Sequence, residues 1–146
     1  MIFVIALLTF LLDRITKFAI ITNFSQGDIL VVIRKFFRIT LVFNTGTAFG
    51  LLKGANFLFV VLSLAVIIFI LLYTHKDRSA RLNLAVPLGL IVGGAVGNLL
   101  DRVRYGYVID FIDFRVWPVF NVADSAITIG MIILAWKILF YKPKKV

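Results

Sequence analysis

Phe57-Leu58-Phe59-Val60-Val61-Leu62-Ser63-Leu64-Ala65-Val66-Ile67-Ile68-Phe69-Ile70-Leu71-Leu72-Tyr73 contains no charged residue. As a helix, such a run crosses a hydrocarbon core of about 30 Å, which takes about 20 residues with some latitude for tilt. Working outward, three further apolar stretches qualify, giving predicted spans at 2–22, 56–73, 83–103 and 123–141. The third carries Pro87 with Gly89, Gly93, Gly94 and Gly97, small residues that let helices approach closely. Met1 to Leu12 has the length of a signal peptide's apolar core, but no basic residue precedes it and Asp13-Arg14 stands where a small-residue cleavage site belongs, so a retained helix is expected.

Composition agrees with lipid as the solvent. Of 146 residues, 62% are hydrophobic and 16% charged, with a mean hydropathy of +1.06; too few polar side chains remain to cover a soluble globule, and disorder is excluded. The seven acids are all Asp, and Lys plus Arg raise the net charge to +9. Because the basic residues sit at the ends of apolar runs and form no stripe, they suit membrane lipid headgroups and argue against nucleic acid. The absence of Cys and the single His75 exclude a disulfide framework, a thiolate metal site and a cysteine nucleophile, and no metal or other cofactor is expected.

Four spans return both termini to one side of the membrane, together with the 74–82 linker. Lys76, Arg78, Arg81, Lys142, Lys144 and Lys145 are dense there, which predicts that this side is cytoplasmic. The opposite side receives segments 23–55 and 104–122. Ile29 to Ile33 and Phe36 to Phe43, rich in Val, Ile, Phe and Thr, predict short strands, and 105–112 an added extended piece. With no internal repeat and no Pro- or Gly/Ser-rich linker, residues 1–146 read as one domain: mainly α, integral to the membrane, with four transmembrane helices and a small extracytoplasmic β-sheet or cradle.

Polar residues beside the spans need a reason, since a charge at the bilayer centre costs about 2.5–3.5 kcal/mol on insertion scales. Asp13, Arg14, Lys17, Asn98, Asp101, Arg102 and Asp124 fall at one membrane face, which also holds Asn44, Asp110, Asp113 and Asn121; Lys137 alone lies toward the other and can snorkel. Such a concentration lines an ion path or builds a reaction site. Gly94, Asn98 and Arg102 are spaced i, i+4, i+8, one stripe of a helix, with either interhelical hydrogen bonding or a site role. Asp13 and Lys17 are an i, i+4 pair whose expected role is an internal salt bridge. Asn121-Val122-Ala123-Asp124 outlines a capping box, so capping competes with chemistry for Asp124. Asp110 lies in Val108-Ile109-Asp110-Phe111 without a local countercharge. Asp110 and Asp124 therefore make a conceivable dyad sharing one proton, although spacing leaves Asp113 as near as Asp110.

Four motifs in order, Asp13-Arg14-Ile15-Thr16-Lys17; Asn44-Thr45-Gly46-Thr47-Ala48-Phe49; Gly93-Gly94-Ala95-Val96-Gly97-Asn98-Leu99-Leu100-Asp101-Arg102 continuing to Val108-Ile109-Asp110-Phe111; and Phe120-Asn121-Val122-Ala123-Asp124, run over nearly the whole chain. With them the sequence resembles the bacterial lipoprotein signal peptidases, signal peptidase II. The resemblance implies a four-helix aspartic protease of the bacterial cytoplasmic (inner) membrane, with cytoplasmic termini and its site near the extracytoplasmic face. It implies Asp110 and Asp124 as the catalytic pair, and Asn44, Gly46, Asn98, Arg102, Asn121 and Ala123 as residues that position the pair or the substrate. Asp13, Lys17 and Gly94 would be structural, and Asp101 and Asp113 outside the catalysis. The implied substrate is a diacylglyceryl-prolipoprotein cut before its modified Cys; the implied inhibitor is globomycin, and the implied state a monomer. Arg34, Lys35 and Arg38 would cradle substrate and headgroups or form a solvated edge. The N-terminus lacks the family's basic residues and the Asp110 to Asp124 connection is short. An ion or proton carrier would instead need polar residues through the full depth of the spans, a structural adaptor would leave the paired acids unexplained, and a presenilin-like protease would hold its acids deeper in the helices.

Overall fold

The computed structural model describes residues 1–46, 55–76 and 83–140. Thr47, Ala48 and Phe49 of the second motif, and the basic Arg78, Arg81, Lys142, Lys144 and Lys145, lie outside the described residues. Among the described residues, four long helices and three strands follow one another: α1 (Ile2–Asn23), β1 (Ile29–Ile33), β2 (Phe37–Asn44), α2 (Asn56–Lys76), α3 (Ala85–Tyr105), β3 (Val108–Asp113) and α4 (Val122–Phe140). Helices α2, α3 and α4 are long and apolar enough to cross a membrane. Helix α1 matches them in length but carries Asp13, Arg14 and Lys17.

Helix α3 is the central one, packed by α1, α2 and α4. Its glycines explain the closeness of the packing. A Cβ on Gly93 would lie 2.5 Å from the Ala6 carbonyl of α1, and one on Gly94 would lie 2.5 Å from the Ala123 carbonyl of α4. Any side chain there would force the helices apart. Around this centre the outer helices turn apolar side chains outward: Phe3, Leu8, Ile15 and Phe18 of α1, and Phe57, Ile68 and Phe69 of α2, are exposed. In water that would be an aggregation surface; against acyl chains it is a satisfied one.

Gly106 ends α3 in the left-handed region, φ +81°, with its N–H bonded to the Arg102 carbonyl at 3.1 Å. The reversal sends the chain directly into β3. There it pairs antiparallel with β2, Asn44 opposite Val108 and Val42 opposite Asp110, and β1 completes the order β1-β2-β3. The predicted strands and extended piece thus join into one sheet built from both long segments. Leu41, Ile109 and Phe111 pack against Ile20 of α1, which fastens the sheet to one end of the bundle.

Candidate active site

Two elements carry the acids, and the loop between them folds back. After β3 the chain returns so that Ile112 and Phe120 exchange backbone hydrogen bonds of 2.8 and 3.0 Å. This bridge places Asn121 beside Asp110 although they are eleven residues apart. Asn121 is the N-cap of α4. Its Oδ1 accepts from the Asp124 N–H at 2.8 Å while Asp124 Oδ2 accepts from the Asn121 N–H at 3.3 Å, so the predicted capping box forms. The same side chain turns its amide to the other acid, Nδ2 donating to Asp110 Oδ1 at 2.6 Å. Capping and site-building are therefore one arrangement.

The remaining oxygens are also held by amides. Asn44 Nδ2 donates to Asp110 Oδ2 at 2.8 Å, and Asn98 Nδ2 donates to Asp124 Oδ1 at 2.7 Å. Asn44 Oδ1 in turn accepts from the Gly46 N–H at 3.0 Å, fixing the amide's orientation. Among the described residues, no cation forms an ion pair with Asp110. Its burial raises the pKa to about 7, the Asp124 charge pushes the same way, and the Asn44 and Asn121 hydrogen bonds and the Lys17 charge oppose the rise. Asn44, Gly46, Arg102, Asp110 and Asp124 line a cavity of about 320 Å³ together with Phe59, Val108, Trp117, Pro118, Val119 and Phe120. The Arg102 guanidinium lies over the Phe59 ring, 5.1 Å from its centroid, and its charge acts on both acids. A second, more apolar recess of Phe114, Trp117, Phe120, Ser125, Thr128 and Ile129 shares Asp124 with the first.

Among the sequence-predicted residues, Asn98, Asn121 and Ala123 do not line the cavity: the two amides bond the acids that do, and Ala123 donates its backbone N–H to Asp13. Asp113, the rival acid, is drawn elsewhere: Arg38 forms an ion pair with it, and its Oδ1 accepts from the Arg115 N–H at 2.6 Å. Arg38 thus ties β2 to β3, where the sequence left it between a cradle for substrate and headgroups and a solvated edge. Asp13 and Lys17 form the expected salt bridge, 3.0 Å, within a larger cluster that also takes in Arg14 and Asp101. Phe59 and Trp117 went unnoticed in the sequence. An aromatic residue among so many apolar ones carries no signal until the fold shows it lining the same cavity as the carboxylates.

A pair of carboxyl groups with amide partners, one cavity and an apolar approach fits peptide hydrolysis by activated water. Known proteins agree. The family described as signal peptidase (SPase) II matches residues 5–140. A lipoprotein signal peptidase of Halothermothrix orenii is 42% identical over 134 residues, covering 92% of each chain. One of Moorella thermoacetica is 48% identical, covering 92% of this chain and 90% of its own. A bacterial membrane enzyme solved by the in meso method at 1.9 Å resolution superposes with a TM-score of 0.85 at 36% identity, over 95% of this chain and 92% of that one. With the family's model matching residues 5–140 and relatives above 40% identical over nine-tenths of both chains, the chain belongs to the signal peptidase II family and is a membrane-associated protease.

Proposed function

We propose that Asp110 and Asp124 are the catalytic pair with which this protease cuts the peptide bond before the diacylglyceryl-modified Cys of prolipoproteins. The observation that carries the proposal is the one side chain, Asn121, that holds both acids at the edge of one cavity. Close carboxyl groups share a proton because both cannot ionise. The ionised member takes a proton from water as the oxygen attacks the scissile carbonyl, and the protonated member polarises that carbonyl and then supplies the leaving amine. Asn44, Asn98 and Asn121 hold the carboxyl groups, while Arg102 and Gly46 at the rim position substrate.

The whole-chain reading is of one domain with four membrane-crossing helices. Asp13 and Lys17 of α1 are fully buried, so their charges face α3 and leave apolar side chains to the lipid. Termini on the cytoplasmic side place the cavity at the extracytoplasmic face of the bacterial cytoplasmic membrane, where water reaches the bond and acyl chains stay in hydrocarbon. The apolar recess beside Asp124 suits a lipidated substrate and a cyclic peptide inhibitor such as globomycin, acting on a monomer. A proton path would need polar groups through the bundle, whereas among the described residues a cavity of about 350 Å³ toward the opposite end is lined mainly by apolar side chains, Val66, Phe69, Ile70, Leu88, Ile91 and Leu134 among them.

Incubating the purified chain with a diacylglyceryl-modified precursor and reading the products by mass spectrometry tests the assignment. A mature fragment beginning at the modified Cys is expected. Cleavage at another bond, or equal cleavage of the unlipidated precursor, would contradict it.

A further inference from the structure

Beneath the acidic pair lies a buried, charge-balanced cluster that the hydrolysis does not use directly. Arg14 Nη1 reaches Asp101 Oδ1 at 2.7 Å, and Nη2 reaches Asp13 Oδ2 at 2.8 Å. Lys17 Nζ lies 3.0 Å from Asp13 Oδ2 and 2.7 Å from Asp101 Oδ2. Two acids and two bases balance, as a buried set must, yet such clusters are poor stabilisers, because desolvation consumes most of the attraction. Their retention needs another reason, and their remaining hydrogen bonds supply one.

Each acid of the cluster accepts from the backbone N–H of the residue just before a member of the pair: Asp13 Oδ1 from Ala123 at 3.1 Å, and Asp101 Oδ2 from Ile109 at 3.3 Å. Lys17 Nζ donates to Asn98 Oδ1 at 2.8 Å, shorter than the 3.2 Å bond from Asn121 Nδ2 to the same oxygen, and with that oxygen so engaged the amide turns its Nδ2 toward Asp124. Two bonds from one cluster thus end one residue from the two carboxyl-bearing positions, which stand on separate elements, and a third ends on the amide that bonds Asp124. A peptide-cutting pair has to be held to within a fraction of an ångström.

Building on the catalytic assignment above, we propose that the Asp13–Arg14–Lys17–Asp101 cluster is a jig that sets the spacing and orientation of Asp110 and Asp124, with Lys17 the positioning residue that fixes the Asn98 amide. Among the described residues, the charged groups facing the pair are Lys17 from α1 and Arg102 from α3, with Asp101 and Asp13 bonded to Lys17. Loss of Lys17 therefore removes a cation that favours ionisation of the pair, as well as the bond to Asn98.

The test is kinetic, in detergent, per folded molecule. Lys17→Met is expected to lower kcat at least about 10-fold with KM within about 3-fold, since a misaligned pair affects the chemistry and leaves the substrate cavity in place. Both limbs of its pH–kcat profile should move upward by about half a unit or more. Should the unbalanced variant fail to fold, Lys17→Met combined with Asp101→Asn removes one charge of each sign and keeps the cluster neutral. There the drop in kcat at unchanged KM is the readout. Lys17→Arg, which restores a cation and a donor, should recover part of the rate in its own right. A merely structural cluster predicts less folded protein with the wild-type kcat and pH limbs, and that result overturns the proposal. Wild-type failure to cleave lipidated precursor would instead defeat the catalytic assignment on which it rests.

Discussion

Asn121 does two jobs with one amide, and its substitutions can separate them. Asn121→Ser keeps a capping oxygen for the Asp124 N–H but loses the donor to Asp110. It should melt close to wild type while kcat falls about 10-fold or more. Asn121→Ala should lose activity and, in addition, about 1 kcal/mol of stability. Comparison of thermal melts with initial rates checks both. Asp110 makes a second prediction. Burial pushes the Asp110 carboxyl up to about 7, whereas an unfolded Asp releases its proton near ~3.9. Between those values the native state binds more protons, so the stability of the wild type relative to Asp110→Asn should fall as pH rises. Activity should likewise decline through an alkaline limb with an apparent pKa near 7, a property of the pair and not of one residue. Melting temperatures from pH 4 to 8, and kcat/KM over the same range, measure these trends.

At the scale of elements, helices and glycines were legible because they are local. Apolar runs announce helices, and Gly94, four residues before Asn98, marks the face that meets a neighbour. The structure names the neighbour as the first turn of α4, and Gly94→Val should push it away, costing about 1–3 kcal/mol and most of the activity. Circular-dichroism melts with parallel turnover assays test that. What stayed hidden depended on the mutual rotation of α1 and α3. Nothing in Asp13-Arg14 or in Asp101 says that they meet across eighty-seven positions. Spacing likewise left Asp113 level with Asp110, and only the β2–β3 register, with Arg38 opposite Asp113, turns that acid out of the site.

Across the whole molecule, one end of the bundle is polar and the other apolar. The sheet, the returning loop and the carboxyl groups gather at the first, and Lys137 at the second reaches the Asn83 carbonyl. The sequence indicated this asymmetry because alternate spans end on the same face, whatever the orientation. Orientation itself is open to a direct measurement, since the chain has no native Cys. Single cysteines at Gln26 or Val116 should react with a membrane-impermeant maleimide added to intact cells, and one at His75 only after the membrane is opened. The reverse pattern would put the site in the cytoplasm.

The decisive measurement is turnover of a diacylglyceryl-modified precursor by Asp110→Asn, Asp124→Asn and, as a control, Asp113→Asn, each with its melting temperature. The first two should lose at least about 1,000-fold in kcat while still folding, and the third should stay within about 5-fold of wild type. Normal turnover by either of the first two, from folded protein, would contradict the assignment of these two acids as the catalytic pair.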